Sequence, residues 1–210
     1  MNTYPDLSNI SQITNNIFLS GIYPMDNDPS IIKKLNIKYI LACLERNQIS
    51  DIHNKVLTEN PDVTILYIPY DDHINQNLWA KNNNNVNIIK YTRTMDDFNK
   101  LSQEFSMYDN KPMIEIGYHF INNAISSGNN ILIHCMAGIS RSVSTLTYFF
   151  MKRYNLSFEN VYDFVKSKRS IVNPNDSFKI QLQTYHKKRE TFKENDANKI
   201  IQIINRNYFV

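Results

Sequence analysis

Apolar positions along the chain follow two periods, and the change from one to the other outlines the architecture. Short runs rich in Ile, Leu and Val read as strands: Ile13 to Gly21, ending in a turn at Gly21, then Ile37 to Leu44, Val63 to Tyr70, and Ile131 to Ile133. The last run is short and apolar throughout, the pattern of a strand covered on both faces. Helical patterns lie between the runs, and Ser30 can cap one that reaches Leu35. Beyond Arg141 the period lengthens. Val143, Leu146, Phe150 and Tyr154 recur at helical spacing, and Ser142 stands where that helix begins. The next helix opens at Ser157, with Asn160 three residues on and Val161, Phe164 and Val165 on one face. Pro174 and Asn175 mark a turn, and a last helix points Phe178, Leu182 and Tyr185 inward. Strands alternating with helices predict an α/β fold: one compact domain, a mostly parallel central sheet, and flanking helices.

Two segments stand outside this alternation. The stretch from about Ala80 to Pro112 opens on a run of asparagines, and Thr94 with Asp97 has capping-box spacing before Phe98, Leu101 and Phe105. It predicts an insertion containing a short helix. In the tail from Lys187, the residues Ala197, Ile200, Ile201, Ile204 and Tyr208 fall on one helical stripe. Such a stripe suits a helix folded back on the core, and equally a contact with a second copy or a partner. The expected division is a domain over residues 1–186, interrupted at about 80–112, followed by a helical tail over 187–210.

Composition narrows the function classes. With 210 residues, 42% hydrophobic and 20% charged, the chain can bury one sizeable core. The net charge of +3 comes without a dense Lys/Arg block, so nucleic acid is not an expected partner, while anionic substrates are mildly favoured. The first ten residues lack a basic segment followed by an apolar run, and no stretch approaches membrane-spanning length. No membrane association is expected. Cys43 and Cys135 are too few for a disulfide framework, and no CxxC or His-rich spacing suggests a metal. The default setting is reducing and intracellular.

The chemistry concentrates between Ile131 and Ser142, in the text ILIHCMAGISRS. A cysteine ends a buried strand, an arginine follows after five residues, and a helix then starts. If Met136, Ala137, Gly138, Ile139 and Ser140 wrap into a concave loop, their backbone N–H groups form an anion nest. The helix behind adds the partial positive charge of its N-terminus. Arg141 offers a planar fork for two phosphoryl oxygens, and Gly138 permits a positive φ or close approach. The same field lowers a thiol pKa, which makes Cys135 a thiolate nucleophile. Ser142 can donate to the sulfur, and His134, pointing away, can orient the loop. Cys43, inside YILACLE, reads as a core residue of its strand.

The segment HCMAGISRS resembles the signature loop of the cysteine-dependent protein tyrosine phosphatases. NLSFENVYDFVKSKRSIVNPNDSF, ITNNIFLSGIYP, LNIKYILAC and YIPYDDHINQNL resemble the dual-specificity subfamily, from about Ser8 to His186 outside the insertion. The resemblance implies a compact α/β fold and hydrolysis of phosphomonoesters on Tyr and often Ser/Thr, with no metal or cofactor. It implies Cys135 as nucleophile, Arg141 as phosphate-binding arginine, and the amides from Met136 to Arg141 as cradle. It also implies a supporting hydroxyl at Ser142 and a structural turn asparagine at Asn175. Arg169 matches a rim position where some members contact a second phosphate; a structural or solvated charge is the other reading. Asp72 matches the general acid, with Asp71 as runner-up. The spacing from Asp72 to Cys135 exceeds the family pattern by about the length of the insertion, which brings Asp96, Asp97 and Asp109 in as rivals. Small Asn-, Ile- and Lys-rich phosphatases of this kind resemble those of large DNA viruses, poxviruses included. That implies host cytoplasm or virion as the location, and phosphorylated proteins as substrates of a monomer or homodimer. A phosphoinositide or RNA 5′-phosphate substrate is the alternative, though the loop lacks the added Lys or His such enzymes tend to carry. A non-catalytic phosphoprotein-binding module would commonly lack the cysteine, the arginine or the acid, and all three stand here.

Overall fold

The structure, a computed structural model, describes residues 7–81, 87–90, 103 and 108–187. The described strands are β1 (Ser11–Gln12), β2 (Ile17–Ser20), β3 (Ile37–Ala42), β4 (Thr64–Tyr67), β5 (Asn87–Lys90) and β6 (Asn130–His134). The described helices are α1 (Tyr23–Asn27), α2 (Ile31–Lys34), α3 (Ser50–Glu59), α4 (Met113–Ser126), α5 (Arg141–Tyr154), α6 (Phe158–Lys168) and α7 (Asp176–Lys187).

The strands form one sheet in the order β1–β2–β6–β3–β4–β5. Its inner four are parallel, and β1 and β5 close the edges antiparallel. The mostly parallel sheet expected from the sequence is therefore observed. The strand β6 lies between two parallel neighbours, which is why Ile131, Leu132 and Ile133 are all fully buried. Ser20, His134, Ala42 and Tyr67 stand in one register row, each the last residue of its parallel strand. The loops that follow them therefore open on one edge of the sheet, where parallel α/β folds assemble their sites.

The helices α4 and α5 pack on β3 and β6, with α6 and α7 outside α5, while α1, α2 and α3 form a second group. Local chemistry sets the helix ends. Ser157 accepts a hydrogen bond from Asn160 N at 3.1 Å and starts α6, as its spacing predicts. Asn175 accepts one from Phe178 N at 2.9 Å and starts α7. At the end of α5, Asn155 adopts the left-handed conformation with φ 55°.

Some elements differ from expectation. The run from Ile13 to Gly21 turns first, with the N–H groups of Ile13 and Thr14 donating to Ile17 O, and only then extends as β2. Ser30 precedes α2, but its hydroxyl donates to Asp28 rather than capping the helix. Within the insertion, β5 pairs with β4, an edge strand that four residues flanked by polar text do not announce. The ends of the insertion are drawn together, since Met113 N donates to Ala80 O at 2.9 Å and Ile114 N to Leu78 O at 3.1 Å. The expected helix between Thr94 and Phe105, Gln103 excepted, and the tail stripe from Ala197 to Tyr208 lie outside the described residues.

Candidate active site

The loop from Cys135 to Ser140 joins β6 to α5, and its carbonyls are pinned outward one after another. Met136 O accepts from Ile22 N at 3.0 Å, and Ile139 O accepts from Asn173 N at 2.9 Å. Between them, Arg169 Nη2 donates to Ala137 O at 3.1 Å and Arg169 Nε to Gly138 O at 2.9 Å. In a planar trans peptide, the N–H points opposite the preceding carbonyl. With four successive carbonyls held outside, the amides of Ala137, Gly138, Ile139 and Ser140 face the concave side. Gly138 N reaches the Cys135 sulfur at 3.3 Å.

Two glycines make this path sterically possible. Gly138 has φ 69°, and a Cβ there would stand 2.3 Å from the carbonyl carbon of Ser20. A Cβ on Gly21 would stand 2.8 Å from Met136 O. The loop and the end of β2 thus touch backbone to backbone.

Cys135 is 1% exposed. Burial works to raise its thiol pKa. Ser142 Oγ, donating to the sulfur at 3.2 Å, the surrounding amides and the charge of Arg141 outweigh that, and the net shift is downward. The N-terminus of α5 is aimed at the same point. Cys43 offers a contrast. It follows β3, with its N–H on His134 O, and its sulfur faces Thr145 Oγ1 of α5 at 3.6 Å. Burial pushes that thiol up to about 12, so it stays protonated at neutral pH.

Arg141 is the first residue of α5. Its Nη1 donates to Tyr70 O at 3.3 Å, while its buried Nε has no hydrogen-bond partner among the described residues and lies 3.8 Å from Asp72 Oδ2. Asp72 comes from the loop after β4. Its Oδ1 accepts from Ser140 Oγ at 2.7 Å and from Asn175 Nδ2 at 2.9 Å. That loop is strapped to α7: Gln181 donates to Gln76 O at 2.8 Å and accepts from Leu78 N at 2.9 Å, and Trp79 stacks on Tyr185. Asp71 makes no hydrogen bond to the loop after β6 among the described residues; its N–H binds Gln76 Oε1. Of the rivals, Asp109 stands in the turn before α4, and Asp96 and Asp97 lie outside the described residues.

The expected rim position of Arg169 is corrected. The side chain is 1% exposed and lies behind the loop, with Nη1 also donating to Asn9 O at 3.1 Å and Ser11 Oγ at 3.3 Å. Its five-donor fork suits several carbonyls at once, which explains an arginine here. It holds the cradle from outside and presents no free edge at a pocket rim. Asn175 joins three parts: it caps α7, its Nδ2 holds Asp72, and its N–H binds Ser140 Oγ at 3.1 Å.

His134 points to the opposite side of the sheet from the sulfur, and burial lowers it to about 4, so it is neutral. Its partner is His53, from α3. A single histidine in SDIHNKV carries no local signal, and only the packing of α3 under the sheet brings it there. Among the described residues no group of three or more His, Cys, Asp or Glu is placed to hold a metal, and no helix is long and apolar enough to cross a membrane.

This geometry agrees with what comparison with known proteins finds. The family described as "Dual specificity phosphatase, catalytic domain" matches residues 17–188. Protein R622 of Acanthamoeba polyphaga mimivirus, which carries a tyrosine-protein phosphatase designation, is 66% identical over 200 residues, covering 95% of this chain and 94% of its own. Human dual specificity protein phosphatase 16 is 42% identical over 77 residues, covering 37% of this chain and only 12% of that protein. Among solved structures, human DUSP28 superposes with a TM-score of 0.61 at 19% identity, covering 85% of this chain and 93% of that chain. DUSP15 gives a TM-score of 0.57 at 20% identity over 93% and 94% of the two chains. These two show the shared fold. The family match and the near-full-length viral relative carry the rest: the chain belongs to the dual-specificity phosphatase family of the protein tyrosine phosphatase superfamily, and is a phosphatase.

Proposed function

We propose that the chain hydrolyses phosphotyrosine, together with phosphoserine or phosphothreonine, on protein substrates by way of a cysteinyl-phosphate. The observation that carries this reading is the set of donors converging on one buried sulfur. Ser142 Oγ and Gly138 N both bind Cys135 Sγ, under the guanidinium of Arg141.

The chemistry follows in two displacements. The phosphoryl oxygens settle against the inward amides of the loop and the Nε edge of Arg141. The Cys135 thiolate attacks phosphorus in line, an S–P bond forms and the P–O bond to the substrate breaks. Asp72 delivers a proton to the departing oxygen, and its carboxylate then takes a proton from the attacking water. The S–P bond breaks as phosphate forms, and Ser142 and Gly138 receive the returning negative charge on sulfur. Ser140 and Asn175 hold Asp72 Oδ1, which directs Oδ2 toward Arg141. No step calls on a metal or cofactor.

The loop residues other than Arg141 are uncharged, which favours a protein substrate over a polyanionic phosphoinositide or an RNA 5′-phosphate. The viral relative supports a host-cell or virion setting, with phosphorylated proteins as partners. Turnover of a chromogenic aryl phosphate in the presence of a chelator tests the reading. Cys135→Ser should abolish it; a Cys135→Ser protein that keeps its activity would end this proposal.

A further inference from the structure

Beneath the phosphate-binding loop, on the side of the sheet away from the sulfur, three buried side chains form a line that the mechanism above does not use. Tyr67 Oη lies 2.6 Å from His53 Nδ1, His53 Nε2 lies 3.1 Å from His134 Nε2, and His134 Nδ1 lies 3.3 Å from the carbonyl oxygen of Cys135. Tyr67 and His53 are 1% exposed, and His134 is fully buried. The line crosses from α3 and β4 to the end of β6, so it depends on the sheet register that aligns Tyr67 with His134.

The direction of these bonds has one solution while both rings are neutral. A neutral imidazole has one N–H and one bare nitrogen, and a carbonyl oxygen only accepts. His134 Nδ1 must therefore carry the proton that meets Cys135 O. Its Nε2 is then bare and accepts, so His53 Nε2 carries a proton. His53 Nδ1 is left bare and accepts from the Tyr67 hydroxyl. The reverse direction would set the bare Nδ1 of His134 against the Cys135 carbonyl, two lone pairs facing each other in a buried space. Burial keeps both rings neutral, and His134 adds to the lowering of His53. The charged groups facing the line are Arg46 toward Tyr67 and Arg141 toward His134, both cations that disfavour a further positive charge.

We propose that His53 is a positioning residue for the nucleophile: its Nε2–H locks His134 in the Nδ1–H tautomer, and His134 then holds the Cys135 carbonyl. The proposal rests on Cys135 being the nucleophile. The consequence is electrostatic as well as geometric. The carbonyl of the residue that bears the thiolate is a nearby negative pole. A donor fixed on that oxygen offsets the pole and orients the first peptide of the loop, whose following amides face inward. Without His53, the Cys135 carbonyl alone favours the Nδ1–H form of His134, a weaker bias, and the Nε2–H form leaves that carbonyl bare. Tyr67 acts one step further back by biasing His53.

Nitrogen-15 NMR of the histidine-labelled intact chain at pH 7 reads the tautomers directly. Nδ1–H at His134 with Nε2–H at His53 supports the proposal; Nε2–H at His134, or a doubly protonated ring, overturns it. A second measurement follows alkylation of the Cys135 peptide by iodoacetamide across pH, which reports the thiolate without any turnover. His53→Leu should shift that profile upward and slow alkylation on its acidic side about threefold to tenfold, the weight of one hydrogen bond. His53→Gln, whose amide N–H can take the place of Nε2–H, should restore the rate to within about twofold, and Tyr67→Phe should fall between the two. A His53→Leu profile superimposable on the parent overturns the proposal. If the leucine variant does not fold, the tautomer measurement on the parent protein decides. Failure of the catalytic reading would show separately, as turnover surviving in Cys135→Ser.

Discussion

Ser140 donates a hydrogen bond from Oγ to the carboxylate of Asp72 at 2.7 Å, tying the loop after β6 to the loop after β4. The two residues are far apart in sequence, yet this contact brings a carboxylate to the edge of the cradle that surrounds the sulfur. Asn175 completes it by donating to the same carboxylate oxygen.

Asp72→Asn should lower kcat by about 100- to 10,000-fold with aryl phosphates of poor leaving groups, the usual range for one general acid. The loss should shrink as the leaving group improves, because a weakly basic phenolate departs without a proton. The general acid works protonated, so its removal should also flatten the fall of kcat on the alkaline side. Rates across a series of substituted phenyl phosphates at several pH values check both effects.

Arg169→Leu should damage stability and catalysis together. It deletes the hydrogen bonds to Ala137 O, Gly138 O, Asn9 O and Ser11 Oγ. Buried carbonyls left without donors make a loss of about 3–5 kcal/mol reasonable, with Tm lowered by about 10 °C. Where the loop is retained, its amides turn, and kcat/KM should drop about 100-fold, the scale of a misplacement near 1 Å. Thermal melts and initial rates separate the two losses, and Arg169→Lys should recover only part of each.

Gly138→Ala tests the backbone contact with β2. An alanine would need φ near 69° and would place its Cβ 2.3 Å from Ser20 C. The cost should be about 1–3 kcal/mol of backbone strain plus about 1–3 kcal/mol for the overlap, read as a Tm lower by roughly 5–20 °C. Alanine at Gly128, where φ is 70° but a Cβ meets nothing within 4 Å, is the control that carries the φ penalty alone.

Stability should decline on the acidic side of neutrality. Burial lowers His134 from an ordinary 6.5 to about 4, and His53 shifts the same way for the same reason. A base with a depressed folded value binds fewer protons when folded, so its contribution is complete above 6.5 and is lost as pH falls toward 4. For His134 that loss is about 3 kcal/mol. The lowered Cys135 thiol works in the same sense in a higher window: its contribution fades as pH falls through its folded value. Denaturant titrations from pH 7 to pH 4.5 should show the slope, and His134→Gln should reduce it.

How much of the site could be read along the chain follows from where each partner lies. The strand, loop, arginine and helix between Ile131 and Tyr154 are contiguous, so covalent spacing alone sets Arg141 and the amides around Cys135. Ser157 and Asn160 make a cap within one turn, again a local event. Arg169 read differently in sequence because its partners, Asn9, Ser11, Ala137 and Gly138, come from distant segments. A guanidinium that serves backbone carbonyls leaves no trace in the residue types it touches. The strand β5 is not legible in the sequence because its order comes from pairing with β4 rather than from its own pattern.

The sequence by itself determined the alternation of strands and helices and the character of the thiol loop, since both rest on near neighbours whose spacing is built into the chain. Tertiary structure alone decided how Asp72, ahead of Asp71 in the family resemblance, meets the loop, that Arg169 braces the cradle from behind, and that Tyr67 and His53 stand in line with His134. Each of these depends on the direction of a hydrogen bond between segments that only the sheet register and the packing of α3, α6 and α7 bring within reach. Hydrophobic periodicity can place a helix against a sheet, but a donor meets its acceptor only once the whole core is packed.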